Sequence, residues 1–230
     1  MGEYCDISKV VIAKVGKDTP GVYNIITKKH YAKTWTASQF IYGIYWDMGE
    51  SSFFEDRDLK LIGVALYGHA VGARAVKSIV EDFEQHDVIE LKRLWIEDGY
   101  GKNIESYCVS QTLKMLKTDA PQVKVVVSYA DPGENHKGII YRATNWLYQG
   151  SEIGGGDSYM YQYPNSDVWL SDRAMSDRLG TNGLRGVLKI IPDMKYKRKL
   201  RKYRYLYFLC SKKLKKQLIK KLKHPLLDYE

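Results

Sequence analysis

The chain has 230 residues, 44% hydrophobic and 13% aromatic, with 19 Tyr and 5 Trp; this suits one packed domain and excludes disorder throughout. Its three cysteines, Cys5, Cys108 and Cys210, lie far apart, which excludes a paired zinc motif or a disulfide framework and predicts a reducing, cytoplasmic setting. The net charge of +9 is concentrated, since residues 194–224 hold 14 Lys and Arg and no Asp or Glu while the remainder holds 22 basic and 27 acidic residues, so the basicity is a local device for a local partner such as a phosphate backbone.

At the N-terminus, Glu3 and Asp6 precede any apolar run, and no stretch approaches the roughly 18 apolar residues of a membrane span. The chain is expected to be soluble, unexported and without a membrane partner. The aromatic and β-branched run 40–46 and the run 59–67 predict an antiparallel hairpin with a long loop around 49–58. Val76, Ile79, Val80 and Phe83 are spaced for an amphipathic helix within 68–83. A third strand at 88–96 runs into Glu97-Asp98-Gly99-Tyr100-Gly101-Lys102-Asn103, after which 104–117 has helical spacing. Such a strand, glycine turn and helix can bind a pyrophosphate on backbone N–H groups, and equally can serve only to reverse the chain.

Pro121 stops that helix, and 123–129 is nearly all Val, as in a strand buried on both faces. It ends at Ser128-Tyr129-Ala130-Asp131-Pro132, where functional residues of α/β sheets tend to sit. A short helix at 135–143, a strand at 145–148 and a flexible 150–156 segment follow. Residues 187–191 and 203–209 are expected as strands and 212–222 as a basic helix.

The series from the hairpin to the strand at 145–148 resembles that of GNAT acyl-CoA N-acyltransferases, although Asn103 stands where a last loop glycine is expected. More specific is 127–150, VSYADPGENHKGIIYRATNWLYQG, which resembles the core motif of the Mom family of phage acyltransferases: a strand ending Ser-Tyr-Ala-Asp, a turn with His, then Tyr-x-Ala-x-Asn-Trp. Here Asn135 precedes the His where the family often has Gly. The likeness covers about residues 28–150, including His30-Tyr31 and Arg93-Leu94-Trp95.

The resemblance implies an α/β, GNAT-like fold with a mixed central sheet flanked by helices. Residues 1–192 are expected as the catalytic domain and 193–230 as a basic Tyr/Lys-rich extension packed on it. It further implies a phage-type enzyme of the host cytoplasm that modifies the exocyclic amine of adenine in double-stranded DNA by an N6-carbamoylmethyl-type group and so protects it from restriction. Alternatives are a GNAT-like acetyltransferase for another acceptor, or a non-catalytic DNA-binding anti-defence protein.

For the chemistry, Asp131 would orient or deprotonate an amine, or merely cap a helix. His136, an imidazole, would transfer a proton, and Tyr141 would protonate a leaving thiolate; either is also readable as structural. Tyr31 completes the catalytic set. Acetyl-CoA or a related acyl-CoA would be held by Arg93, Leu94, Trp95, Gly99, Gly101, Lys102, Asn103 and Ser106. His30, Ser128, Asn145 and Trp146, with Lys197, Arg198, Arg201 and Arg204 of the basic segment, would hold DNA through stacking and charge. An iron site on His30 and Tyr31 with Asp131 or His136 has no ligand spacing to support it, so no metal is expected, and a homodimer is compatible with the sequence.

Overall fold

The computed structural model describes residues 3–50, 57–70, 72–151, 157–181 and 183–229. In chain order these form β1 (Val10–Lys14), a helical turn α1 (Val22–Asn24) continuing into a π-helical turn at Ile25–Lys29, β2 (Phe40–Glu50), β3 (Arg57–His69) and α2 (Gly72–Lys77). Then come β4 (Val88–Ile96), α3 (Ile104–Asp119), β5 (Val125–Ala130), α4 (Ile139–Ala143), β6 (Leu147–Tyr148), β7 (Tyr159–Gln162) and β8 (Leu170–Ser171). The chain closes with α5 (Asp172–Leu179), α6 (Leu184–Ile190), β9 (Lys195–Arg198), β10 (Tyr203–Phe208) and α7 (Lys212–Lys220). The 49–58 loop and the 150–156 segment expected above fall largely outside the described residues.

Seven strands form one mixed sheet in the order β1-β2-β3-β4-β5-β10-β6. Every pairing in it is antiparallel except β4 with β5, which is parallel and involves only Val88–Glu90 against Val125–Val127. Strand alternation divides the core. Val126, Tyr205, Tyr67 and Leu91 point to the face covered by α3, through Val109, Leu113 and Leu116, and by Tyr141 of α4. Val125, Val127, Leu206 and Phe208 point to the other face, where Val76, Ile79, Phe83 and Leu218 cover them. Val125, Val126 and Val127 are fully buried, as an all-Val run between two helical layers requires. The α/β class and the mixed central sheet flanked by helices expected from the sequence are therefore present.

Two local expectations change. The helix expected over 68–83 contracts to α2, because Gly68 and His69 pair with Glu90 and Ile89 in the sheet and the Arg204 guanidinium takes the carbonyl and hydroxyl of Ser78. Residues 187–191, expected as a strand, belong mainly to α6: Leu184, Val187, Leu188 and Ile191 repeat at helical spacing and pack with Tyr161, Met175 and Met194. That small core belongs to a second sheet, ordered β8-β7-β9, which the sequence reading did not anticipate. No helix among the described residues is long and apolar enough to cross a membrane.

Candidate functional site

The partial pairing of β4 and β5 creates the site. Beyond Glu90 and Val127 the two strands continue without pairing, and a cleft of about 490 Å³ opens between them. Its walls are 91–96 of β4, 128–130 of β5, the turn and helix 135–141, Glu105 of α3, and 29–31 at the end of the π-helical turn. Eight of the residues singled out in the sequence meet there: His30, Tyr31, Arg93, Leu94, Trp95, Ser128, His136 and Tyr141.

At the floor, the Ser128 hydroxyl lies 3.0 Å from the Leu91 carbonyl oxygen and 2.7 Å from the Tyr141 phenol oxygen. A serine has one proton and a carbonyl can only accept. Ser128 therefore donates to Leu91, filling the place left where β5 departs from β4, and Tyr141 donates to Ser128. Burial pushes the Tyr141 phenol up to about 12, so its proton stays in place, directed inward, and its lone pairs are left for the cleft. This alters the role expected of Tyr141: it is arranged to accept a hydrogen bond more readily than to protonate a thiolate.

At the mouth three rings cluster. Tyr31 stacks on His30 with centroids 4.4 Å apart and meets His136 edge-on at 5.1 Å. His30 is 4% exposed, and its Nδ1 accepts the Ala32 N–H at 3.1 Å, which places the proton of the neutral ring on Nε2. Burial, with Arg93 and His136 nearby, holds its pKa down to about 4. Unfolding releases that ring to an ordinary pKa of about 6.5, so the unfolded chain binds more protons between those values, and stability falls as pH drops from about 6.5 to 4. The contribution approaches about 3 kcal/mol at the acid end. Thermal melts across that range should show the loss, and a His30→Asn variant should show a smaller one; equal acid sensitivity would contradict the buried neutral ring.

Lys29, Lys92, Arg93 and Lys137 wall the cleft against a single acid, Glu105. The Arg93 side chain donates to the Lys92 carbonyl and to Thr34, and its buried Nε has no partner among the described residues. The cleft thus favours an electron-rich or anionic guest.

The other sequence candidates fall elsewhere. Gly99, Gly101, Lys102 and Asn103 border an adjoining open cleft of about 950 Å³ at the N-terminus of α3. The first helical bond there runs from Tyr107 to the Asn103 carbonyl, so the preceding first-turn N–H groups have no helical partner. Gly99 stands open with φ +97°, whereas Gly101 packs on the backbone of Cys5 and the Lys102 N–H donates to the Glu3 carbonyl. Gly99 and the first turn of α3 therefore suit a pyrophosphate, while Gly101 and Lys102 are engaged by the N-terminal segment. Ser106 donates to the Asn103 carbonyl.

Asp131 caps the turn after β5 by accepting the Gly133 N–H at 3.0 Å and pairs with Lys202 at 3.1 Å; it does not wall the cleft. Trp146 is 1% exposed, packed between Tyr141 and Tyr207, so a base cannot stack on it. Asn145 is exposed in the left-handed conformation that ends α4, a position Asn fills without strain. In the basic segment, Lys197 lies over the Trp169 ring, and Arg198 and Arg201 both reach Asp157. Arg204 is 1% exposed and donates to Gln149 and Ser78; it is an interior tie and not a DNA contact. Among the described residues no three His, Cys, Asp or Glu side chains cluster as a metal site.

Sequence reasoning missed Tyr205. It stacks on Tyr141 at 4.7 Å and its phenol donates to the Lys137 carbonyl at 3.1 Å. It buttresses the turn that carries His136 from a strand, its partner Lys137 lying 68 residues earlier in the chain, and only the alternation Tyr203, Tyr205, Tyr207 hinted at it.

The "Methylcarbamoylase mom" of Escherichia phage Mu is 30% identical to this chain over 199 residues, covering 86% of this chain and 75% of the relative. Among solved structures, a GNAT family acetyltransferase from Elizabethkingia anophelis with acetyl-CoA bound matches with 8% identity and a TM-score of 0.45 over 87% of this chain and 98% of that one. Arabidopsis thaliana NAA60 in complex with acetyl-CoA matches with 10% identity and a TM-score of 0.48 over 86% and 98%. The model of the Mom protein family matches residues 10–229, and the chain belongs to that family.

Proposed function

We propose that this chain is a DNA-modifying transferase that alters the exocyclic amine of adenine in duplex DNA, with a methylcarbamoyl-type group as the name of the phage Mu relative suggests. The observation that carries the reading is the Leu91–Ser128–Tyr141 arrangement in a cationic cleft. An exocyclic amine is a hydrogen-bond donor, and Tyr141 offers it an acceptor whose own proton is tied down. As the nitrogen gains its new carbon substituent it must shed a proton, and His136 at the mouth is the side chain positioned to take it. The base must leave the duplex to reach the cleft, at a cost of a few kcal/mol.

Gly99 and the first-turn amides of α3 would hold an acyl-CoA by its pyrophosphate in the second cleft; when bound it would supply an acyl group activated as a thioester, whose carbon–sulfur bond breaks as the bond to nitrogen forms, the thiolate leaving with the proton that the nitrogen sheds. Lys197, Arg198 and Arg201 of the basic 193–230 extension hold the phosphate backbone outside, Arg198 and Arg201 exchanging Asp157 for phosphate, and binding is correspondingly salt-dependent.

A plasmid propagated with the chain should resist endonucleases whose recognition sequences contain adenine and remain sensitive to those reading only G and C. Unchanged sensitivity to both, in cells containing the folded protein, would overturn the reading.

A further inference from the structure

We propose that Ile139 is the wedge that enters the base stack when the target base is extruded; this rests on the duplex-DNA reading above. Only two of the exposed large apolar residues among those described wall the cleft, Tyr31 and Ile139. Tyr31 is engaged by the rings of His30 and His136. Ile139 is 73% exposed and no apolar cluster takes it up, although it stands two residues before the buried Tyr141 on the same short helix. Its helical position turns it away from the sheet, toward the mouth.

The surroundings give that exposure a use. Lys137 precedes it by two residues, and Lys202 is anchored on Asp131 at the start of the same turn. A duplex drawn onto these cations would meet one branched apolar side chain beside the opening into which a base has to swing. Apolar side chains inserted between base steps unstack them and occupy the gap an extruded base leaves.

The mount is also rigid. Gly138, with φ +72°, lies so close over the Tyr205 phenol that a Cβ there would overlap it. Tyr205 in turn holds the Lys137 carbonyl and stacks on Tyr141 and Tyr148. A wedge needs such backing, since a compliant loop would fold away from the stack. Leu200 is also exposed within the basic segment but does not wall the cleft.

The test compares modification rates on one target adenine presented three ways: paired in a duplex, opposite an abasic site, and in a single strand. For Ile139→Ala the ratio of the paired-duplex rate to the single-strand rate should fall at least tenfold relative to wild type. The abasic duplex should recover most of the loss, and Ile139→Leu should keep the wild-type ratio. Equal changes on all three substrates, or none on the paired duplex, would overturn the wedge. A folded wild type that modifies adenine in none of them would overturn the underlying reading, and the wedge with it.

Discussion

Replacing Tyr141 by Phe should lower the rate of DNA modification about 100-fold or more while leaving the protein folded. The two effects separate by magnitude. Removing the phenol deletes one hydrogen bond, to Ser128, which retains its bond to the Leu91 carbonyl; the stability cost is about 1 kcal/mol. A 100-fold rate loss corresponds to about 2.7 kcal/mol at the barrier. The ring's stacking on Tyr205 and its contact with Trp146 persist in Phe. Circular dichroism and single-turnover kinetics on the same preparation therefore distinguish a lost acceptor from a lost fold. A Phe variant within threefold of wild type would remove Tyr141 from the chemistry.

Arg204→Ala should instead be a stability defect, of about 3 kcal/mol or more, lowering the melting temperature by roughly 6–12 °C for a chain of this size. The guanidinium joins β10 to Gln149 and to the end of α2 through Ser78, and truncation leaves the buried Gln149 side-chain oxygen and the half-buried Ser78 carbonyl without that donor, beside a cavity. Were Arg204 a backbone contact, the melting temperature would hold and the salt dependence of DNA binding would fall by about one phosphate. Arg198→Ala, at an exposed position on β9, should show that second behaviour.

Much of the central sheet was legible because each signal was local: the aromatic β-branched run of β2, the all-Val β5, the glycines ahead of α3. The cleft was half legible. His30, Arg93, Ser128, His136 and Tyr141 could be picked out from residue type and family likeness, but that they share one cavity follows from where β4 and β5 stop pairing, which no local pattern encodes. Residue type misled at Trp146 and Arg204. An aromatic ring and a guanidinium suit nucleic acid equally well as they suit a core, and burial, not sequence, separates the two uses. Residues 187–191 misled in the opposite direction, since the β-branched Val187, Ile190 and Ile191 favour strands in isolation whereas Leu184, Val187, Leu188 and Ile191 complete a helical stripe. Tyr205 and the second sheet were hidden because their partners lie far away in the chain.

The most direct test of the account is mass spectrometry of nucleosides from the DNA of cells expressing the chain or its Tyr141→Phe variant. The account predicts a heavier deoxyadenosine with the wild type, reduced about 100-fold or more with the variant, and the other three nucleosides unchanged. Unaltered deoxyadenosine with soluble wild-type protein, or equal modification by both, would contradict it.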